Sequence, residues 1–382
     1  MTSGHVLVAP DKFKGSLTAV EVAERVAAGF RAVRPEVAVV TMPVADGGDG
    51  TVDAAVACGF SRMEATVTGP VGDLVRGAYG LSDGVAVVEL AEASGLRRLP
   101  GGRAAPLTAT SAGTGDLIAA ALAHGARRVV IGLGGSACTD GGAGMMRALG
   151  VRLLDAQGHD LASGGAALTG LHALDTTGFT RPDGVTFALA SDVDNPLLGP
   201  DGAAAVYAPQ KGASPADVAR LEEGLARFAD VVERELGVRV RDAPGAGAAG
   251  GTGFAAMAFL GATSGSGITL LLDLMGFAAH LPGAALVVTG EGKLDDQTLR
   301  GKAPAGVAAA AAGAGIPVIA VCGRNTLTPG RLHQAGIAQA FDLAAIEPDP
   351  ERSMTQAGPL LERLAATIAT QWPTPSVREW SR

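Results

Sequence analysis

The sequence predicts an α/β protein of two domains, one with a parallel sheet built from both chain ends and one inserted between them. Three observations predict it. The chain has 382 residues, more than one compact core ordinarily holds. A strand–helix–strand–helix rhythm opens the chain and returns near its C-terminus, the pattern of a parallel sheet with right-handed crossovers. Between these ends the character changes to short alternating segments, as in an antiparallel or mixed sheet.

The elements follow in order. Residues 5–9 are apolar and β-branched, a buried first strand stopped by Pro10. Ser16 is placed as the N-cap of a helix over 17–33, in which Val20, Ala23, Val26, Ala27 and Phe30 recur at helical spacing. Residues 37–42 form a second strand, 46–50 a turn and 51–58 another helix. Residues 64–68, 77–80 and 85–90 read as the short alternating strands. Near the end come a strand over 285–289, a loop over 290–301, a helix over 304–314, a strand over 317–322 and a loop over 323–328. The expected domains are 1–62 with 283–382, and 63–282. The tail from Trp372, with Pro373 and Pro375, reads as mobile.

Composition narrows the function. Hydrophobic residues make up 47% of the chain and charged residues 18%, enough apolar surface for a large core. The net charge is -8 and aromatics are 4%, with no basic block, so nucleic-acid binding is not expected. The three cysteines, Cys58, Cys138 and Cys322, are far apart and form no metal or disulfide pattern, which fits a reducing cytoplasm. Residues 253–272 and 303–322 are uncharged, but Gly, Ser and Pro break them into helix–turn–strand pieces, so no membrane span is expected. The 56 glycines cluster in short runs, as in tight strand-to-helix turns.

Several such turns bear chemistry. Asp11-Lys12-Phe13-Lys14-Gly15-Ser16 follows a strand and opens a helix, a place suited to an anion; solvated lysines before a capped helix are the alternative. Asp46-Gly47-Gly48-Asp49-Gly50 sets two carboxylates among glycines, a natural Mg²⁺ site unless Asp49 merely caps the next helix. Residues 128–144 run from a strand into a loop containing Gly134, Gly135 and Ser136, whose N–H groups can hold phosphate. Ser191-Asp192-Val193-Asp194-Asn195 follows an apolar run and suits a metal or a general base, with a plain turn before Pro196 as the alternative. Lys211 supplies a cation. Residues 289–298 hold Glu291, Lys293, Asp295 and Asp296, with Lys302 beyond, and a polar surface loop competes with a phosphate or metal role. Loose dinucleotide patterns occur at 132–137 and 245–250, the latter without a good preceding strand. Walker A, protein-kinase, nucleophile-elbow and zincin motifs are absent from the sequence.

Taken in order, the blocks 9–16, 44–51, 110–115, 132–145, 191–198, 207–213, 244–253 and 289–306 resemble the type I glycerate kinases. The resemblance implies transfer of the γ-phosphoryl of ATP to D-glycerate with Mg²⁺, giving 2-phosphoglycerate. It also implies that the split domain is flavodoxin-like. Lys12 stands where the family commonly has Ser, and Thr139 where it commonly has Asn. In this scheme Asp192 takes the hydroxyl proton and Asp46, Asp49, Glu291 and Asp295 are the metal candidates. Asp11, Lys14, Ser16, Gly47, Gly48, Gly134, Gly135, Ser136, Asn195, Lys211 and Lys302 bind substrate or phosphate. Rival readings are an NAD-dependent hydroxy-acid dehydrogenase and a two-lobed ligand sensor without catalysis. A homo-oligomer is left open.

Overall fold

A computed structural model describes residues 4–372. Its strands are β1 (His5–Pro10), β2 (Val39–Thr41), β3 (Ser61–Thr68), β4 (Leu74–Ser82), β5 (Val85–Glu89), β6 (Arg128–Gly132), β7 (Arg152–Leu154), β8 (Ala173–Asp175), β9 (Thr186–Ala190), β10 (Thr263–Gly265), β11 (Ala284–Leu294), β12 (Val318–Asn325) and β13 (Gln339–Asp342). The chain divides into two compact units. The first holds the residues up to Asp46, Asp53–Cys58 and those from Ile268 on; the second holds Gly47–Val52 and Gly59–Gly267. The changes of unit at 58/59 and 267/268 lie upstream of the expected joints at 62/63 and 282/283.

The first unit is built on a sheet of order β2-β1-β11-β12-β13, every pair parallel. Two strands come from the N-terminal part and three from the C-terminal part, which is the flavodoxin-like order. Val6, Leu7, Val8 and Ala9 are all 1% exposed or less, because helices cover both faces of such a sheet. The helix Ala19–Val33 buries Val22, Ala23, Val26 and Phe30, and packs with the helix Ala357–Gln371. Its N-cap is Thr18, which forms a capping box with Glu21, and not Ser16. Glu21 is the physical reason: a box needs an acid three residues after the hydroxyl, and Ser16 has none there. Ser16 instead donates its hydroxyl to Phe13 O at 3.1 Å.

The second unit has a sheet of order β10-β9-β6-β5-β4-β3. The first four strands are parallel and the β5–β4 and β4–β3 pairs antiparallel, so the sheet is mixed as expected. β7 and β8 form a small separate ribbon. The helix Pro215–Leu236 starts on a Ser214–Asp217 capping box and buries Leu221, Leu225, Phe228 and Val232 in this unit's core.

Elsewhere the structure corrects the expected boundaries. The loop placed at 290–301 is strand as far as Leu294, because Val287 to Leu294 stay paired with β12. β12 likewise runs to Asn325, into the loop placed at 323–328. Polar residues on a paired strand read as a loop by composition, while the backbone ladder ignores them. Among the described residues, no helix is long and apolar enough to cross a membrane. Trp372 packs on the first unit's core, and Pro373 and Pro375 lie outside the described residues.

The capping assignment is testable by denaturant unfolding. Thr18→Ala should cost about 1 kcal/mol, whereas Ser16→Ala should stay within about 0.5 kcal/mol of the parent. Equal losses would return the cap to Ser16.

Candidate active site

In the first unit, three acids gather where the parallel strands end. Asp11 follows β1 directly, its N–H bonded to Gly290 O at 2.8 Å, and Glu291 is the next residue on β11. Asp46 follows β2 by five residues and acts electrostatically on both. Asp11 is 6% exposed. Burial pushes its carboxyl up to about 7, with Lys12 opposing and Asp46 and Glu291 adding. Burial also raises Glu291, against the Thr298 hydroxyl that donates to Oε1 and the Lys302 ammonium 3.5 Å from Oε2. A cluster in which Asp46 raises both Asp11 and Glu291 suits a cation. Among the described residues, no group of three or more His, Cys, Asp or Glu side chains is arranged to hold a metal by itself. Mg²⁺ seldom needs one, since it is commonly held by one or two carboxylates together with substrate phosphates.

The remaining residues expected here fall differently. Asp295 pairs with Lys293 at 3.0 Å, which holds its carboxyl below the ordinary range. It also accepts the Gln297 N–H, so its carboxylate already closes a turn. Lys14 is exposed at the tip of a tight loop closed by reciprocal Phe13–Leu17 hydrogen bonds. Lys12 lies 3.5 Å from Asp11.

In the second unit, the turn beginning at Gly47 lies across the carboxyl ends of β5, β6 and β9. Gly134 N–H donates to Gly47 O at 3.0 Å. A methyl group on Gly47, whose φ is +96°, would sit 2.2 Å from Ala190 O, and one on Gly134 would sit 2.4 Å from the Gly48 Cα. No side chain fits there, so the two glycine segments meet backbone to backbone. Glu89, the last residue of β5, secures the other end of the turn. Its carboxylate accepts Gly50 N–H at 3.1 Å on each oxygen and Val52 N–H at 3.1 Å. Glu89 is 1% exposed, and burial pushes its carboxyl up to about 7 while these amides oppose the shift. Asp49, in the same turn, pairs with Arg97 at 3.2 Å. The four metal candidates are therefore not one set: Asp46 and Glu291 are joined by Asp11, Asp295 is engaged with Lys293, and Asp49 belongs to the second unit.

The loop after β6 presents Gly134, Gly135 and Ser136. Among the described residues the N–H groups of Gly135 and Ser136 donate to no other group, which leaves them for an anion. Below the loop, the Lys211 ammonium donates to Ser136 Oγ at 2.8 Å and to Cys138 O at 2.5 Å. Desolvation lowers the Lys211 pKa. Two of the three Lys211 donors are thus engaged in bracing the loop from inside. Asp140 ties the loop's far end to the N-terminus of the helix Ala112–Ala123, accepting Ser111 N–H at 2.8 Å and Gly144 N–H at 3.1 Å. Thr139 Oγ1 is buried and has no hydrogen-bond partner among the described residues. The glycine pattern at 245–250 follows no strand; Gly250 O accepts Gly141 N–H at 2.9 Å and buttresses the same loop, so it is no dinucleotide turn.

Asp192 lies two residues beyond β9, and its Oδ1 accepts Gly267 N–H at 2.9 Å, at the start of the helix Gly267–Leu274. Asp194 is exposed. Asn195 is engaged at both ends of its amide, with Asp201 O at 2.7 Å and Tyr207 Oη at 2.5 Å, so it staples its own loop. Glu89 and Thr298 escaped the sequence reading. A lone carboxylate ending an apolar parallel strand was the available signal for Glu89; Thr298 had none.

Glu89 makes stability depend on pH. Its folded pKa of about 7 lies above the ordinary 4.5, so the native state holds this proton more tightly than the unfolded chain does. Its contribution is greatest below pH 4.5 and falls as pH rises towards 7. Relative to Glu89→Gln, the parent should therefore lose up to roughly 3 kcal/mol across that window. A thermal-unfolding difference between the two that does not change with pH would refute this.

Comparison with known proteins agrees with this architecture. The model of the glycerate kinase family matches residues 6–373. A glycerate kinase of Bacillus subtilis is 44% identical over 95% of this chain and 96% of its own length. A glycerate 2-kinase of Escherichia coli is 46% identical over 88% of this chain and 90% of its own. A crystal structure assigned as glycerate kinase 2 from Salmonella typhimurium LT2 superposes with a TM-score of 0.83 at 41% identity, covering 97% of this chain and 98% of that one. On its sequence and its fold alike, this chain belongs to the glycerate kinase family and is a kinase.

Proposed function

We propose that this protein transfers the γ-phosphoryl group of ATP to D-glycerate, giving 2-phosphoglycerate and ADP, with Mg²⁺ as the metal. Family membership along almost the whole chain supports the substrate pair. The single structural observation that best supports phosphoryl transfer is the glycine loop at the end of β6, whose Gly135 and Ser136 N–H groups donate to no other group among the described residues. Such a transfer asks the protein for positioning and for charge stabilisation more than for covalent chemistry.

The geometry supports the following assignment of roles. Gly134, Gly135 and Ser136 hold an anionic group of a substrate through backbone N–H donors. Gly47 and Gly48 shape the turn against which that loop rests, while Asp49 and Glu89 keep the turn in place. Asp46 and Glu291, with Asp11 beside them, would hold Mg²⁺ arriving with the nucleotide; when bound, it neutralises charge on the phosphates. Lys302 adds positive charge beside Glu291, and Lys14, exposed on the loop after β1, is a further cation for the phosphates. Asp192 orients the acceptor hydroxyl and takes its proton. Its anchored oxygen, bonded to the Gly267 N–H, fixes the carboxylate at the end of β9. The chain's three free cysteines suit a reducing cytoplasm.

Kinetics of two variants and the products of the parent test this reading. Asp192→Asn keeps the shape and removes the charge, so kcat should fall at least about 10²-fold with a modest change in KM. Asp194→Asn, at an exposed side chain, should be milder. Near-parent kcat in a folded Asp192→Asn protein would sink the base assignment. The parent should release ADP when supplied with D-glycerate and MgATP, and phosphorus NMR should show the 2-phospho ester as the dominant product. A dominant 3-phospho signal would overturn the regiochemistry, and no ADP release with D-glycerate would overturn the substrate.

A further inference from the structure

Lys211 is a buried ionisable side chain for which phosphoryl transfer, as set out above, has no use. It is 3% exposed. Asp140 acts on it electrostatically, but that carboxylate is hydrogen-bonded to Ser111, Gly142 and Gly144. Removing an ammonium from water costs free energy, and a well-packed apolar side chain in its place is often no less stabilising. What the ammonium secures is a direction. It carries three donors and no acceptor, so Ser136 Oγ must accept from it. The single proton of the Ser136 hydroxyl is thereby turned away from Lys211. Ser136 is 7% exposed, and its own N–H and that of Gly135 donate to no other group among the described residues.

We propose that Lys211 is a positioning residue that makes the Ser136 hydroxyl an outward donor to the anion bound at the Gly134–Ser136 loop, a carboxylate or a phosphate. This deepens the proposed function and rests on the anion role given there to the loop. The hydrogen bond to Cys138 O holds the ammonium in place, so the loop backbone and the hydroxyl are set by one group.

Isothermal calorimetry with D-glycerate and, separately, with a non-hydrolysable ATP analogue plus Mg²⁺ tests the idea and identifies which anion is held. Lys211→Met keeps the length and removes every donor. It should weaken one of the two ligands at least about tenfold, the worth of one good hydrogen bond to a charged group. Ser136→Ala should weaken the same ligand by a similar factor. The double variant should bind no worse than the weaker single variant, because both losses pass through one hydroxyl. Lys211→Arg, also donor-only, should retain more binding than Lys211→Met. Multiplicative losses in the double variant, or parent-like binding in either single variant, would overturn the proposal. Should Lys211→Met fail to fold by circular dichroism, Ser136→Ala and Lys211→Arg bear the test: parent-like binding in the first, or a loss in the second as deep as that of Ser136→Ala, rejects it. A parent protein that binds neither ligand would instead remove the anion role of the loop. Binding by the parent with silent variants would remove only the role of Lys211.

Discussion

The contact on which the second unit's site depends is the approach of the turn at Gly47 to the ends of β6 and β9. Two backbones meet there at separations that no Cβ can occupy, with the Gly47 carbonyl taking the Gly134 N–H. The consequence is rigidity in two loops at once. Glu89 holds the turn's later amides, and Asp140 holds the far end of the β6 loop. The N–H groups of Gly135 and Ser136 then have fixed places, and fixed donors stabilise developing charge without having to reorganise.

That rigidity depends on burying charge, which is expensive unless each charge finds hydrogen bonds. Glu89 meets backbone amides, Lys211 meets a hydroxyl and a carbonyl, and Glu291 meets the Thr298 hydroxyl as well as Lys302. These groups stand at or just past the carboxyl ends of parallel strands, or brace the loops there. Open α/β sheets bind their ligands at such edges, where helices begin and N–H groups are unclaimed. Desolvation leaves its mark there: Asp11 and Glu89 are both pushed up to about 7. Perturbed acids of this kind concentrate at functional sites.

Much of the local structure was legible in the chain. Hydrophobic runs and glycine turns located β1, β6 and β9 and the helix starting at Thr51. Errors arose where composition and backbone pairing disagree. Glu291 and Lys293 read as loop residues, yet they sit on a strand whose ladder continues past them. Ser16 looked like a cap by position, but Thr18 has the partner acid. Asn195 and Lys211 read as ligand contacts by residue type, and the fold adds internal hydrogen bonds by which both brace their loops.

The chain alone carried the α/β class, a parallel sheet shared by its two ends, a mixed sheet between them and, through ordered blocks, the resemblance to a family that implied a flavodoxin-like order. Those features depend on local periodicity, turn chemistry and residue order, which are written along the chain. The fold alone reveals which polar residues are buried and which distant partners they meet. Glu89 acquires its meaning from Gly50 and Val52, and Lys211 from Ser136, 75 positions away in the chain. Burial and hydrogen-bond direction are properties of such distant pairs, and no window of sequence contains them.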